Sequence, residues 1–282
     1  ALVDKPEGWT SRRTGAVVSK GVGQKKFGHI GTLDPFATGL LPIAMGRGTR
    51  LLSFIDVDAK AYSAELQLGW ATSTGDCTGE PLPEEPVPAI AQEDLDLILP
   101  SFCGVIEQTP PAFSAIRIDG ERAYKKARRG EDVVVPKRSV RIDSLRATIV
   151  APDRICFEVE CGTGTYVRTL GADLAKALGT VGHLVSLRRT RVGPFEVATA
   201  RQPASEPPVW SVLKLLEHLG EPVAIPVTSV RHVRDGKPLE DLQCLSGLSA
   251  GRYALSAAGD PLALVELSAG IWCYLRGLPP IA

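Results

Sequence analysis

The chain is 282 residues long and 44% hydrophobic, with 32 Lys and Arg balanced by 32 Asp and Glu. That length holds one large domain or two smaller ones, with enough apolar sequence for a sizeable core. The longest apolar runs, such as 262–265, fall far short of a membrane span. Ala1-Leu-Val runs straight into Asp4 and Lys5 with no visible targeting signal. Six cysteines form no C-x-x-C pair and four histidines show no ligand spacing, which argues against a metal cluster. Buried, reduced thiols in a cytoplasmic protein are expected.

In chain order, Leu2 and Val3 read as a short entry strand and D-K-P-E-G-W-T-S as a turn. Thr10 or Ser11 caps a helix reaching to about residue 22. G-V-G-Q-K-K-F-G is a loop into a short strand, and the apolar run 40–46 reads as a buried strand. A short helix is expected over 49–55, and the alternating run 61–69 predicts a strand. Residues 70–90, with two glycines and four prolines, predict a long surface loop. A helix follows over 94–102, an alternating strand over 113–120, and a basic helix over 121–130 stopped by Gly130. Strands over 132–150 and 154–161 meet near Pro152-Asp153; then come a helix over 166–179 and a strand over 183–193. R-Q-P-A-S-E-P-P is linker-like, 209–219 a short helix, and 223–282 a small β module. Strands and helices mix without strict alternation, so the expected class is α+β rather than a doubly wound sheet.

The zero net charge hides polarity. From 61 to 116 there are nine acids and no Lys or Arg; from 117 to 141 there are nine cations against four acids. Such segregation suits a basic face presented to a polyanion, and read from charge alone it equally fits alternating solvated helix faces. Between Gly8 and Ile55, Asp34 is the single acid among seven cations, inside G-H-I-G-T-L-D-P-F-A-T-G. An Asp before Pro is usually a turn residue. Crowded glycines suit close backbone approach by a ligand, and nearby cations would keep Asp34 ionised and nucleophilic.

Phosphate-loop templates fail: no G-x-x-x-x-G-K-[ST] exists, and G-V-G-Q-K-K-F-G lacks the third dinucleotide glycine. There is no G-x-S-x-G elbow. G-T-G-T-Y-V-R (162–168) opens a helix, as a phosphate site or as a bare turn and cap. Against that background, G-H-I-G-T-L-D-P-F-A-T-G-L-L-P-I-A-M-G resembles the signature of the TruB family of pseudouridine synthases. V-D-K-P-E-G-W-T-S, K-A-Y (60–62), G-T-Y-V-R-T-L (164–170) and H-L-V-S-L-R-R-T-R-V-G (183–193) resemble four further family motifs in order, so the resemblance covers about 1–200.

The resemblance implies a mixed or antiparallel sheet with flanking helices over 1–205, an RNA-gripping insertion at about 109–130, a linker over 206–224, and a small PUA-like β module over 225–282. It implies conversion of uridine 55 in the T arm of tRNA to pseudouridine, by base flipping, with no cofactor or metal. A cytoplasmic monomer needing no protein partner and no membrane is expected. Asp34 takes the catalytic aspartate's place, acting as nucleophile at C1′ or C6 or as a base toward the ribose. Arg168 pairs with it, and Tyr62 stacks on the flipped uracil. Tyr166 packs near the base, His29 fills the place of displaced loop nucleotides, and Lys5 and Leu187 line the pocket. Asp76 falls in a loop near the site. Arg122, Lys125, Lys126, Arg128 and Arg129 of the basic insertion would grip phosphates. Two departures stand out: Arg50 replaces a common Lys, and the C-terminal module, with seven cations against eight acids after residue 200, is not basic.

Overall fold

A computed structural model describes residues 1–111, 117–118, 121–122, 126, 129, 131, 135–204 and 209–280. Its strands are β1 (Leu2–Lys5), β2 (Phe27–His29), β3 (Thr38–Met45), β4 (Lys60–Leu68), β5 (Trp70–Thr72), β6 (Pro81–Glu84), β7 (Gly104–Gln108), β8 (Arg117–Ile118), β9 (Glu121–Arg122), β10 (Arg138–Ala151), β11 (Arg154–Cys161), β12 (Gly182–Val192), β13 (Phe195–Glu196), β14 (Glu221–Ala224), β15 (Gly251–Ala257), β16 (Asp260–Ser268) and β17 (Ile271–Gly277). The central sheet has the order β1-β3-β12-β4-β11-β10-β7, with β2 on β3 and β13 on β12. Its pairs are antiparallel except β12 with β3, and a separate four-stranded sheet β14-β15-β16-β17 follows. The α+β expectation holds.

Alternation along the strands decides the layering. Ala64, Leu66 and Leu68 of β4, Ile155, Phe157 and Val159 of β11, and Leu184 and Leu187 of β12 all point to one face and are buried. The helix Val167–Ala177 closes that face: Val167, Leu170, Gly171, Leu174 and Ala175 are buried at i, i+3, i+4, i+7 and i+8, the stripe a core-facing helix needs. This packing fixes the helix axis and therefore where its first turn, which carries Arg168, points. The N-terminal helix Ser11–Gly21 is capped by the Thr10 hydroxyl, which accepts from the Arg13 N–H at 3.1 Å.

A last cluster joins Leu51, Leu216, Ala254, Leu264 and Leu278, so the second sheet packs onto the first part of the chain through the helix Val212–Leu219. Arg47 reinforces the junction, donating to Asp260 Oδ1 at 3.1 Å and to the Pro261 carbonyl at 2.8 Å.

Several expectations are corrected. Residues 70–90 are not featureless, because β5 and β6 pair as a short ribbon. Strand β7 was missed; it is a Gly-led edge strand on β10, too short to show alternation. Residues 121 and 122 form a strand with 117 and 118, where a helix was expected; the rest of 112–130 lies almost wholly outside the described residues. The thiols are not buried as a group: Cys161 is, while the other five are exposed. Cys156 shows why, since on a half-buried strand its even position falls on the solvent face beside Glu158.

Gly39 illustrates how tightly β3 and β12 meet. It sits at φ +100°, and a Cβ there would run into the Arg189 backbone carbonyl. Gly39→Ala is expected to cost about 2 kcal/mol or more of stability, visible as a lowered urea midpoint; an unchanged midpoint would show that the two strands can part without penalty.

Candidate active site

Asp34 lies in the loop between β2 and β3, and neighbouring elements pin that loop along its length. The Ser11 hydroxyl donates to the Leu33 carbonyl at 3.1 Å and accepts from the Leu33 N–H at 2.9 Å, both buried. The Gly8 N–H donates to the Pro35 carbonyl at 2.8 Å, and the Ala37 N–H closes a turn onto the Asp34 carbonyl at 3.2 Å. The side chain of Asp34 stays 39% exposed, so the carboxylate is fixed in place yet open to a ligand.

Arg168, 5% exposed, reaches Asp34 from the first turn of its helix: Nε stands 2.9 Å from Asp34 Oδ2. Its Nη1 donates to the Thr74 carbonyl at 2.6 Å and lies 3.6 Å from Asp76 Oδ2. Asp76 is itself held: its Oδ1 accepts from the Thr74 hydroxyl, the Thr78 N–H and the Thr78 hydroxyl at 2.9, 3.0 and 2.5 Å. Two distant segments, the Asp34 loop and the 72–78 loop, thus converge on one guanidinium. Asp76, from a stretch of acidic composition, turns its carboxylate inward, where it orients Arg168.

Burial raises the Asp34 pKa above the ordinary carboxylate range; Arg168 opposes that shift and the like charge of Asp76 adds to it. Sequence reading expected the surrounding cations to hold Asp34 ionised. The seven between residues 8 and 55 do not approach it: Arg12, Arg13, Lys20, Lys25, Lys26 and Arg50 are exposed, and Arg47 holds Asp260. The cations that act on Asp34 are Arg168 and Lys5.

The other expected residues divide. Tyr62 lies on β4 packed against the main core, opposite Arg189 on β12, and burial raises its phenol pKa. Leu187 is buried opposite Ala64. Tyr166 caps the Arg168 helix; its N–H donates to Gln108 Oε1 at 3.0 Å, and Arg138 stands 5.9 Å over its ring. His29 lies on β2 with Nδ1 buried and unpartnered; burial and Arg189 lower its pKa, leaving a neutral imidazole at pH 7. Lys5 is fully buried, and its ammonium donates to the carbonyls of Pro6, Trp9 and Pro35 at 2.9, 2.7 and 3.2 Å. All three N–H groups are spent on backbone, so Lys5 braces the loop from below; burial pushes its pKa down to about 8.

The insertion residues are described only in part. Arg129 is bound to Glu121 at 2.8 Å and Glu131 at 2.6 Å. Lys126 is described as helical and half-buried, the side chain of Arg122 is not described, and Lys125 and Arg128 lie outside the described residues. Sequence reading missed Gln108, Thr74 and Arg189. Gln108 and Thr74 carry no signal beyond polarity. Arg189 carries one: it shares the inward register of Leu187 on β12. Among the described residues no group of three or more His, Cys, Asp or Glu is placed to hold a metal ion, and no helix is long and apolar enough to cross a membrane.

A raised Asp34 pKa has a readable consequence. If ionised Asp34 does the chemistry, single-turnover rate should fall on acidification with a midpoint above 3.8, the ordinary value for the group. A pH–rate profile between about pH 4 and 8 checks it; a rate flat to the acid end would contradict the raised pKa.

Comparison with known proteins bears directly on this site. Residues 19–167 match the family described as TruB family pseudouridylate synthase (N terminal domain), and residues 168–202 match the tRNA pseudouridylate synthase B C-terminal domain. The tRNA pseudouridine synthase B of Arthrobacter sp. (strain FB24) is 42% identical over 206 residues, covering 71% of this chain and 67% of that protein. The protein of that name from Parasynechococcus marenigrum (strain WH8102) is 43% identical over 224 residues, 77% of each chain. In structure the chain is similar to one in a crystal structure of a Cbf5-Nop10-Gar1 complex, with TM-score 0.64 at 23% identity, covering 94% of this chain and 77% of that one. At that identity the likeness is one of fold.

Proposed function

The chain belongs to the TruB family of pseudouridylate synthases, a family of isomerases, and on that premise we propose that it converts uridine 55 in the T arm of tRNA to pseudouridine as a stand-alone cytoplasmic enzyme. The observation that carries the reading is the Asp34 carboxylate, oriented by a buried arginine yet open on one side.

The isomerisation breaks the C1′–N1 bond, forms a C1′–C5 bond to the same base, releases the C5 proton and protonates N1. Electrons balance within the nucleotide. The base has to leave its stack for any side chain to reach C1′ or C6. Asp34 supplies the anionic oxygen. Its raised pKa makes that oxygen a stronger base and nucleophile than an exposed carboxylate, and the Arg168 contact sets its direction. The ring of Tyr62 offers a stacking surface for uracil, with the Leu187 side chain as a dry wall of the same sheet face. Tyr166, fixed through its backbone by Gln108 two residues before Arg168, is assigned a place beside the base. We assign His29, a neutral imidazole at pH 7, to the place of the displaced loop nucleotides, as the family resemblance implies.

For the grip on the T stem, Lys125, Lys126 and Arg128 with Arg122 are the proposed phosphate contacts. Arg129 enters with a handicap, because RNA phosphates must displace Glu121 and Glu131 from it. Its replacement is therefore expected to weaken binding little.

Incubation with an unmodified tRNA transcript followed by pseudouridine mapping tests the proposal; no product at the T-loop uridine would sink it. Asp34→Asn should abolish turnover while tRNA binding stays largely intact. The variant should also fold at least as stably at pH 7. A carboxyl whose folded pKa lies above its unfolded one loses stability as it ionises, so the neutral amide avoids that loss. Arg168→Lys should lower kcat by about tenfold or more, because an ammonium cannot serve Asp34, Thr74 and Asp76 in three directions. Wild-type kcat in either variant would remove these residues from the chemistry.

A further inference from the structure

We propose that Arg189 is a positioning residue for the isomerisation: its buried guanidinium clamps both ends of the Asp34 loop to the strand that carries Tyr62. The inference rests on the isomerase reading above and deepens it.

Arg189 is 1% exposed and is among the largest fully buried side chains of the protein. Strand β12 runs between β3 and β4, and residue 189 pairs with Gly39 on one side and Tyr62 on the other. Its side chain continues that bridging. Nε donates to the Leu40 carbonyl at 2.9 Å, just past the loop's C-terminal end. Nη2 donates to the Ile30 and Gly31 carbonyls at 3.3 and 2.9 Å, at the loop's N-terminal end. The Tyr62 phenol interacts with the same guanidinium. The nine residues from 31 to 39, Asp34 among them, are therefore tied at both ends to one rigid plane, and that plane also faces the ring proposed to hold the base.

The partners are the informative part. Arg189 has carbonyls and a phenol around it, with the ammonium of Lys60 close by as a like charge rather than a counter-ion. Burying a cation without a carboxylate is costly, and an apolar side chain would pack at less cost. What an apolar residue lacks is direction. A guanidinium presents five donors in one fixed plane, so three carbonyls from two chain segments and a phenol can be set at once. Lysine, a point charge on a flexible stem, cannot do this. The fit is close as well: Gly31 sits at φ +63°, and a Cβ there would come within 2.8 Å of Arg189 Nη1.

Arg189 acts through the backbone rather than on the carboxylate. Burial raises the Asp34 pKa and the charges of Arg168, Asp76 and Lys5 adjust it; Arg189 is not among them. Loosening the clamp should thus displace the carboxylate from the base, a loss in kcat, without moving the pH at which Asp34 titrates.

The test compares wild type, Arg189→Lys, Gly31→Ala and the double variant on an unmodified tRNA transcript, reading kcat, KM, tRNA Kd, the pH midpoint of the single-turnover rate and Tm. Each single variant is expected to lose about tenfold or more in kcat, since an ångström of misplacement costs rate steeply. KM and Kd should stay within about threefold and the pH midpoint should not move. The double variant should be no worse than the poorer single one, because both act on one clamp. Four results would overturn the proposal: near-wild-type kcat in either single variant, a loss carried by KM or Kd, a shifted midpoint, or additive losses in the double variant. Should Arg189→Lys fail to fold, Gly31→Ala decides the matter from the loop side with Arg189 intact. An inactive wild type would instead overturn the isomerase reading, so the two failures are distinguishable.

Discussion

The contact between Arg168 Nε and Asp34 Oδ2 is the constraint around which the molecule is arranged. The two residues are far apart in sequence, and neither could hold the other alone. The core sets the helix that carries Arg168, because Leu170 and Leu174 are buried beneath it against the sheet. The 72–78 loop fixes the rest of the guanidinium through Thr74 and Asp76. A partly buried ion pair of this kind is weak evidence of stability, since desolvation offsets much of the attraction. Its value lies in geometry: a carboxylate with one defined orientation. The charge balance agrees, as burial lifts the Asp34 pKa while Arg168 draws it down. The outcome is a carboxylate both oriented and basic, which a salt bridge at the surface would not provide.

Four buried cations surround this region, and they fall into two groups. Arg168 meets carboxylates. Lys5 and Arg189 spend their donors on backbone carbonyls, at Pro6, Trp9 and Pro35 and at Ile30, Gly31 and Leu40; Lys60 donates to the Thr163 hydroxyl at 3.0 Å. Binding carbonyls instead of acids lets a cation shape the loop without neutralising the carboxylate proposed to react.

Much of this was legible in sequence, for physical reasons that differ by residue. Period-2 alternation placed β4, since it reports burial on one face, and the glycine stop at Gly179 marked the end of the Arg168 helix. Asp34 stood out by charge isolation, whereas Arg168 by itself reads as any helix-start arginine and was paired with Asp34 through the family resemblance alone. Asp76 looked like part of a solvated acidic loop because composition cannot show which way a carboxylate turns. The cysteines misled because a thiol is small enough for either face of a strand. In L-R-R-T-R, three arginines share one motif but not one environment: Arg188 binds Asp4, Arg191 binds Glu160, and Arg189 is buried between them. Strand alternation separates Arg189 from Arg188, and the bulge of β12 against β4 separates it from Arg191.

The exposed cations then read differently from the buried ones. Arg47 and Arg234 both reach Asp260, at 3.1 and 2.6 Å, and so tie the second sheet in place. Arg12, Arg13, Lys20, Lys25 and Lys26, on and beyond the helix Ser11–Gly21, have no ion-pair partners among the described residues, Arg13 lying 4.2 Å over the Trp9 ring. The same helix begins with Ser11, which holds Leu33 beside Asp34. One short element therefore presents solvated positive charge outward and braces the Asp34 loop inward. A polyanion drawn to the outer face would meet the protein next to its open carboxylate, with attraction that falls as salt rises.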